Sequence, residues 1–364
     1  MRSYGDKPAW FMQLVRGGFL PVIELDGKVI TESLVIMQTL DATFPEGPPM
    51  VPPPGSPMRQ RAQELLGLER QLFGAWCSLT FQPGKGLFDA NERSFVQTLQ
   101  KVDAELQATE GPWFLGGDAP SLVDLQYISH VERMLASLLY WKGMRLRDTG
   151  TYPGLDAWLA AFEARPAYLA SKSDYYTHVK DIPPQYGDGY GIDAAADAAA
   201  RIDGSGSSAW TLPLRLDSAE LLEPLAPLQY AGADEAAKHE AAYELASNHE
   251  AVVRFAARGA GQPGGWAGPG KAELADPYAK PNEAIIDAVD TSLRHVGAIL
   301  LDDGADAVAE LSEDLKAASG TEGGRSLAAC LAYLRDRIGV PRDMGQAAAM
   351  QLRAHLNLAI AELQ

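Results

Sequence analysis

Two hydrophobic periods alternate along the chain. Val22 to Leu25 and Lys28 to Ile30 are short apolar, β-branched runs separated by Asp26-Gly27. Such runs read as strands, and Asp-Gly supplies the positive φ of a two-residue hairpin turn. From Ser33 the period lengthens. Leu34, Ile36, Met37 and Leu40 fall at three- and four-residue steps, so a helix is predicted to begin near Ser33. The longer period dominates the rest of the chain. Helices are predicted over 58–79, 92–108, 122–139 and 152–170, then over 233–258, 282–301, 305–318, 325–338 and 343–363. The expected fold is mostly α.

Helix breakers divide these segments. Pro48, Pro49, Pro52, Pro53 and Pro54 make 44–57 a linker, and Gly111-Pro112 stops the helix before it. Ser121 followed by Asp124 is a capping-box variant at the head of an apolar helix. The stretch 187–206 is rich in Gly, Ala and Asp and reads as a mobile connector, and the Pro/Gly-rich stretch 259–281 reads as a surface loop.

Charge and composition narrow the function. A net charge of −17 disfavours nucleic-acid backbones and anionic membrane surfaces. No apolar run reaches the length of a membrane-spanning helix. Cys77 and Cys330 are too few and too far apart for a disulfide framework, which points to a reducing compartment. Cys77 is expected to be a core thiol. His239-Glu240 and His249-Glu250 lack a second histidine four residues on, so they read as solvated helix surface and no metal is expected.

One ordered set of residues carries a resemblance. Asp6-Lys7-Pro8-Ala9-Trp10-Phe11, then Pro21 at the mouth of the hairpin, then Glu32-Ser33 at the helix start, resembles the glutathione-binding half of the glutathione transferases. It looks most like the plant and algal dehydroascorbate reductase and omega-type branch. The run Trp113-Phe114-Leu115-Gly116 leading to Ser121 and Asp124 is similar to the folding box of that family's helical domain. Residues 174–185 and 335–344 resemble the tails of plant and algal members. On its own, Pro21 would be read as trans, since about 5–6% of X–Pro bonds are cis. Ser33 alone would be an ordinary N-cap, and Lys7 a solvated lysine.

The resemblance implies a partial thioredoxin-like α/β subdomain over 1–46 and an all-helical transferase domain over 58–185. A flexible connector over 186–217 and a helical extension over 218–364 are expected to follow. It implies a cis Leu20–Pro21 bond, with the Leu20 backbone pairing glutathione as an added strand would. Ser33 and the helix N–H groups would hold one carboxylate, Glu32 the ammonium and Lys7 the other carboxylate. Glutathione is thus the expected co-substrate, conjugated to or used to reduce a small electrophilic or oxidised molecule.

In the resembled fold a strand, a helix and a strand carrying the thiol-activating residue precede the segment around Lys7. Truncation of the start is the expectation, and the activating residue is unassigned. His178 is expected to be a packed tail residue, and Tyr140, Trp141 and Lys142 core rather than cleft. The alternative is a non-catalytic scaffold that uses the extension to hold a partner. The resemblance further implies a homodimer and a location in the cytoplasm or chloroplast stroma.

Overall fold

The computed structural model describes residues 7–47, 49–82, 88–205, 210–217, 222–223, 233–264, 279–302 and 305–364. Most of the Pro/Gly-rich loop predicted at 259–281, and the start of the chain through Asp6, lie outside them. The chain forms two compact units, Met1–Ala164 and Arg165–Gln364.

The first unit begins with a short helix α1 (Ala9–Leu14) and the predicted hairpin, β1 (Val22–Leu25) and β2 (Lys28–Thr31). The strands are antiparallel, and Asp26 and Gly27 take φ of 50° and 74°, the doubly left-handed turn that the Asp-Gly pair foretold. Helix α2 (Ser33–Thr43) follows and buries Ile36. A two-stranded hairpin is marginal by itself. It leans on α2, which packs against both strands and against a later helix.

After the proline linker come α3 (Pro57–Phe81), α4 (Phe88–Gln107), α5 (Leu122–Lys142) and α6 (Pro153–Glu163). Ser56 caps α3 by accepting the Arg59 N–H at 3.2 Å, with Pro57 at the first helical position. Leu65, Leu72, Trp76 and Leu79 form its buried stripe, and α3 packs on both α4 and α5. Buried polar tips are paired: the Trp76 indole donates to Ser137 Oγ and the Tyr127 hydroxyl to the Leu65 carbonyl, each at 2.8 Å. The helix predicted over 152–170 breaks before Pro166, because a residue preceding proline is pushed out of helical conformation.

The second unit holds short helices α7 (Pro166–Leu169), α8 (Tyr175–Asp181), α9 (Pro183–Tyr186) and α10 (Ala196–Asp203). Helix α10 lies inside the stretch read as a mobile connector. Burial of Ala195 and Ile202 fixes it there, which composition alone does not reveal. Longer helices follow: α11 (Asp234–Ser247), α12 (His249–Ala256), α13 (Ile286–Leu301), α14 (Ala305–Ala318), α15 (Glu322–Arg335) and α16 (Gln346–Leu363). The single helix predicted over 233–258 is interrupted at Asn248, whose φ of −127° and ψ of 34° are not helical. Helix α16 is buried on nearly every side and packs against α11, α13, α14 and α15, as a helix at the centre of a domain does.

Residues 165–185, read from sequence as the end of the transferase's helical domain, are tied to the last third by buried polar contacts. Arg353 on α16 pairs with Asp174 and donates to Thr177 Oγ1 at 3.1 Å and to the Ile338 carbonyl at 2.6 Å. Lys172 pairs with Glu223 at 2.9 Å. Burial alone would raise the Asp174 carboxyl. The Arg353 guanidinium and the hydrogen bonds from Arg353 and Thr177 outweigh it and hold that carboxyl below the usual range.

Candidate functional site

Register decides which residues meet at the hairpin's open end. Val22 pairs with Thr31 and Leu25 with Lys28, so one further step sets Pro21 against Glu32. Leu20 and Pro21 therefore share one end of the ladder with Glu32 and Ser33, although a full hairpin separates them in sequence. The Leu20–Pro21 peptide bond is cis. Leu20 is half exposed, and among the described residues neither its N–H nor its C=O has a backbone partner.

Helix α2 starts beside this open backbone without a cap. Glu32, at the N-cap position, makes no side-chain capping bond, and the helical ladder begins with Ile36 N–H donating to the Glu32 carbonyl at 2.9 Å. The N–H groups of Ser33, Leu34 and Val35 thus have no backbone partner among the described residues. Three aligned donors at the positive end of a helix dipole are a ready site for an anion. The Glu32 and Ser33 side chains are exposed. Glu32 takes φ of 67° and ψ of 114°, a region that costs a non-glycine residue about 1–3 kcal/mol and that concentrates at ligand sites.

Lys7 is folded back onto the approach to Leu20. Its Nζ donates to the Gly18 carbonyl and stands 5.7 Å from the centre of the Phe11 ring. An ammonium has three donors, so this contact leaves others for a ligand. Sequence reasoning missed Gly18. Its φ is +64°, and a Cβ there would lie 3.0 Å from Met12 Sδ and 3.5 Å from Lys7 Cδ. The Gly17-Gly18 doublet was the available signal for a left-handed turn under steric pressure.

A second unforeseen residue is Asp41 on α2. Its carboxylate accepts the Met50 and Val51 N–H groups at 2.9 and 3.1 Å, and the Met50 carbonyl accepts Leu122 N–H at 2.9 Å. This relay ties α2 to the start of α5, and so carries the site's position from the helical bundle.

Burial disfavours the thiolate at both cysteines. Burial pushes both thiols up to about 11, with Arg70 pulling only weakly against it at Cys77 and the Ala260 backbone at Cys330. Among the described residues no cluster of His, Cys, Asp and Glu could hold a metal. His239 is exposed and His249 pairs with Asp290 at 2.7 Å. His178 is buried on α8. Trp141 and Lys142 are buried at the end of α5, where burial lowers the Lys142 ammonium. No helix among the described residues is long and apolar enough to cross a membrane.

The family model described as glutathione S-transferase, N-terminal domain, matches residues 1–43, and the one for the C-terminal domain matches 86–161. The chain is 32% identical over 172 residues to glutathione S-transferase L3 of Arabidopsis thaliana, covering 47% of this chain and 68% of that one. To glutathione S-transferase DHAR2 of the same plant it is 30% identical over 149 residues, covering 41% of this chain and 64% of that one. The chain therefore spans somewhat under two thirds of the latter relative's length. A crystal structure of a glutathione transferase from Methylococcus capsulatus shares 30% identity over 44% of this chain and 75% of its own, with a TM-score of 0.35. By its paired family domains and these relatives, the chain belongs to the glutathione S-transferase family, on its dehydroascorbate-reductase-like side.

Proposed function

We propose that the hairpin's open end binds glutathione, and that the protein uses it in a glutathione-dependent transfer or reduction. The observation that carries this reading is the junction of an unpaired Leu20 backbone with the uncapped start of α2. A peptide laid along Leu20 gains two main-chain hydrogen bonds, as in strand addition. Its α-carboxylate, at the γ-glutamyl end, meets the N–H groups of Ser33, Leu34 and Val35 and the Ser33 hydroxyl. Glu32 answers the neighbouring ammonium, and Lys7 reaches the glycyl carboxylate with a donor that Gly18 does not use.

These residues position the tripeptide and leave its sulfur free. The reactive species is the thiolate, since the thiol attacks poorly. Fixing the reactants in place is worth several kcal/mol of the barrier in well-oriented systems. The co-substrate class is a small electrophile or oxidised molecule, met in a reducing compartment.

Addition of reduced glutathione to isotopically labelled protein tests the site. Amide resonances of Leu20, Ser33, Leu34 and Val35 should shift together and saturate. Shifts confined to other residues would remove the reading. A scaffold role is the second reading, favoured by the high thiol pKa values and by the matched family domains ending at residue 161. It predicts no shifts at these amides.

A further inference from the structure

Two arginines of the second unit stay unmatched in an acidic chain. Asp and Glu number 48 against 31 Lys and Arg, so a basic side chain has carboxylates to choose from. Neighbouring arginines have found them: Arg254 pairs with Glu283 at 2.6 Å, and Arg335 with Asp336 and Arg342 with Asp343 at 2.7 Å each. The guanidiniums of Arg258 and Arg337 make no ion pair and no hydrogen bond among the described residues. Arg337 Nη1 is buried without a partner, which is costly for a charged donor and rare in native proteins.

Close packing brings the two together. Arg258 lies in a 3₁₀ turn, Ala257–Ala260, that follows α12. A Cβ added at Gly259 would fall 2.4 Å from the Ala329 carbonyl oxygen and 2.7 Å from Tyr333 Cβ, so the turn lies directly against α15. The guanidinium carbons of Arg258 and Arg337 are consequently 5.3 and 5.9 Å from the centre of one ring, that of Phe255. Arg337 also stands 4.0 Å from the centre of the Tyr333 ring, and the two rings are 5.2 Å apart. Burial holds the Arg337 guanidinium below the usual arginine range, and the Arg258 charge adds to this; Tyr333, Asp336 and Asp181 oppose it without cancelling it. Each arginine sits at a helix C-terminal end, where the dipole favours a cation. That accounts for each charge singly, and not for two of them sharing a ring with no carboxylate between.

We propose that Arg258 and Arg337 together bind a phosphate dianion, free or as the terminal group of a small ester. Both side chains are partly exposed, and the aromatic faces beneath them hold the guanidinium planes in place. A guanidinium fork presents paired N–H donors. A carboxylate has two oxygens and is filled by one fork, whereas a phosphate has enough oxygens to serve two. Its double charge also offsets the repulsion between the arginines. The site lies wholly in the second unit and does not depend on glutathione.

Calorimetric titration of the full chain with inorganic phosphate, at constant ionic strength, tests the assignment. Saturable binding is expected, weakened about tenfold or more in Arg258→Gln and in Arg337→Gln, since each removes charge-assisted hydrogen bonds. Arg258→Lys keeps the charge and loses the fork, so its affinity should fall between wild type and Arg258→Gln. Acetate should bind at least about tenfold more weakly than phosphate. Glycerol phosphate separates the two sources: tighter binding than inorganic phosphate assigns the site to an ester, and weaker binding assigns it to the free ion. Thermal melts establish that each variant is folded; if Arg337→Gln is not, Arg258→Gln and the acetate comparison decide. Absence of saturable binding of either phosphate up to about 10 mM, beyond the weak-binding range, would overturn the proposal. So would equal affinity in the folded glutamine variants, or equal affinity for acetate.

Discussion

Two helices of the first unit, α5 and α2, begin in opposite ways. At α5 the start is closed. Asp124, fully buried, accepts Ser121 N–H at 2.8 Å, the Ser121 hydroxyl at 2.6 Å, Phe114 N–H at 3.0 Å and the Trp158 indole N–H at 2.9 Å. At α2 the start is open: no capping side chain, no acid in the first turn, and donors facing outward beside an unpaired strand end. The contrast separates structure from function at one kind of site. A helix start satisfied from within holds the fold together, whereas one left unsatisfied at the surface is available to a ligand.

Closing or opening each start has a distinct consequence. The largest belongs to α5. Asp124→Ala leaves the Phe114 and Trp158 N–H groups buried without an acceptor, and should cost at least about 3 kcal/mol in denaturant unfolding. A cap alone would cost about 0.5–2 kcal/mol; a measured loss in that range would mean the extra two partners contribute little.

Next is the relay from the last turn of α2 to the start of α5. Asp41→Ala frees the Met50 and Val51 N–H groups and should lower stability by about 1–2 kcal/mol. Faster hydrogen exchange at Met50, Val51 and Leu122 is the direct check, and unchanged exchange would place the tether elsewhere. A smaller effect is expected from closing α2 deliberately. Ser33→Asp puts a carboxylate into the open start and should stabilise the protein by about 0.3–1 kcal/mol through the helix dipole. The same change should weaken glutathione binding, because the added charge occupies and repels. Stability and affinity moving in the same direction would contradict the ligand assignment.

The smallest effect concerns Cys77. A thiol raised to about 11 stays protonated at neutral pH, so its thiolate fraction rises tenfold per pH unit up to that value. Alkylation by iodoacetamide at pH 8 should run about two orders of magnitude slower than for a free cysteine of pKa about 8.5. A rate near that of the free thiol would reopen Cys77 as a nucleophile.

Local chemistry was legible in the sequence and tertiary partners were not. Asp26-Gly27 foretold the hairpin turn, and Ser121 with Asp124 foretold the cap, because both act within a few residues. The order of Leu20, Pro21, Glu32 and Ser33 led to residues that the hairpin register sets at one end, whereas Lys7 lies outside that register and contacts the Gly18 carbonyl. Gly18 and Asp41 escaped because their importance lies in what folding brings against them: the Met12 and Lys7 side chains, and the Met50 and Val51 backbone. Helix α10 was hidden by an Ala-, Asp- and Gly-rich composition that suits a linker equally well. Arg353 gave no sign either, since a lone arginine in an apolar helix becomes meaningful only when Asp174 arrives to pair with it.

The open start of α2 is most directly tested by titrating reduced glutathione into the wild-type chain and into Ser33→Ala in a calorimeter. Saturable binding to wild type should weaken roughly 2- to 30-fold in the variant, as expected for losing one hydroxyl contact to a carboxylate. Binding of equal strength in both, or heat from neither, would contradict a glutathione site at that helix.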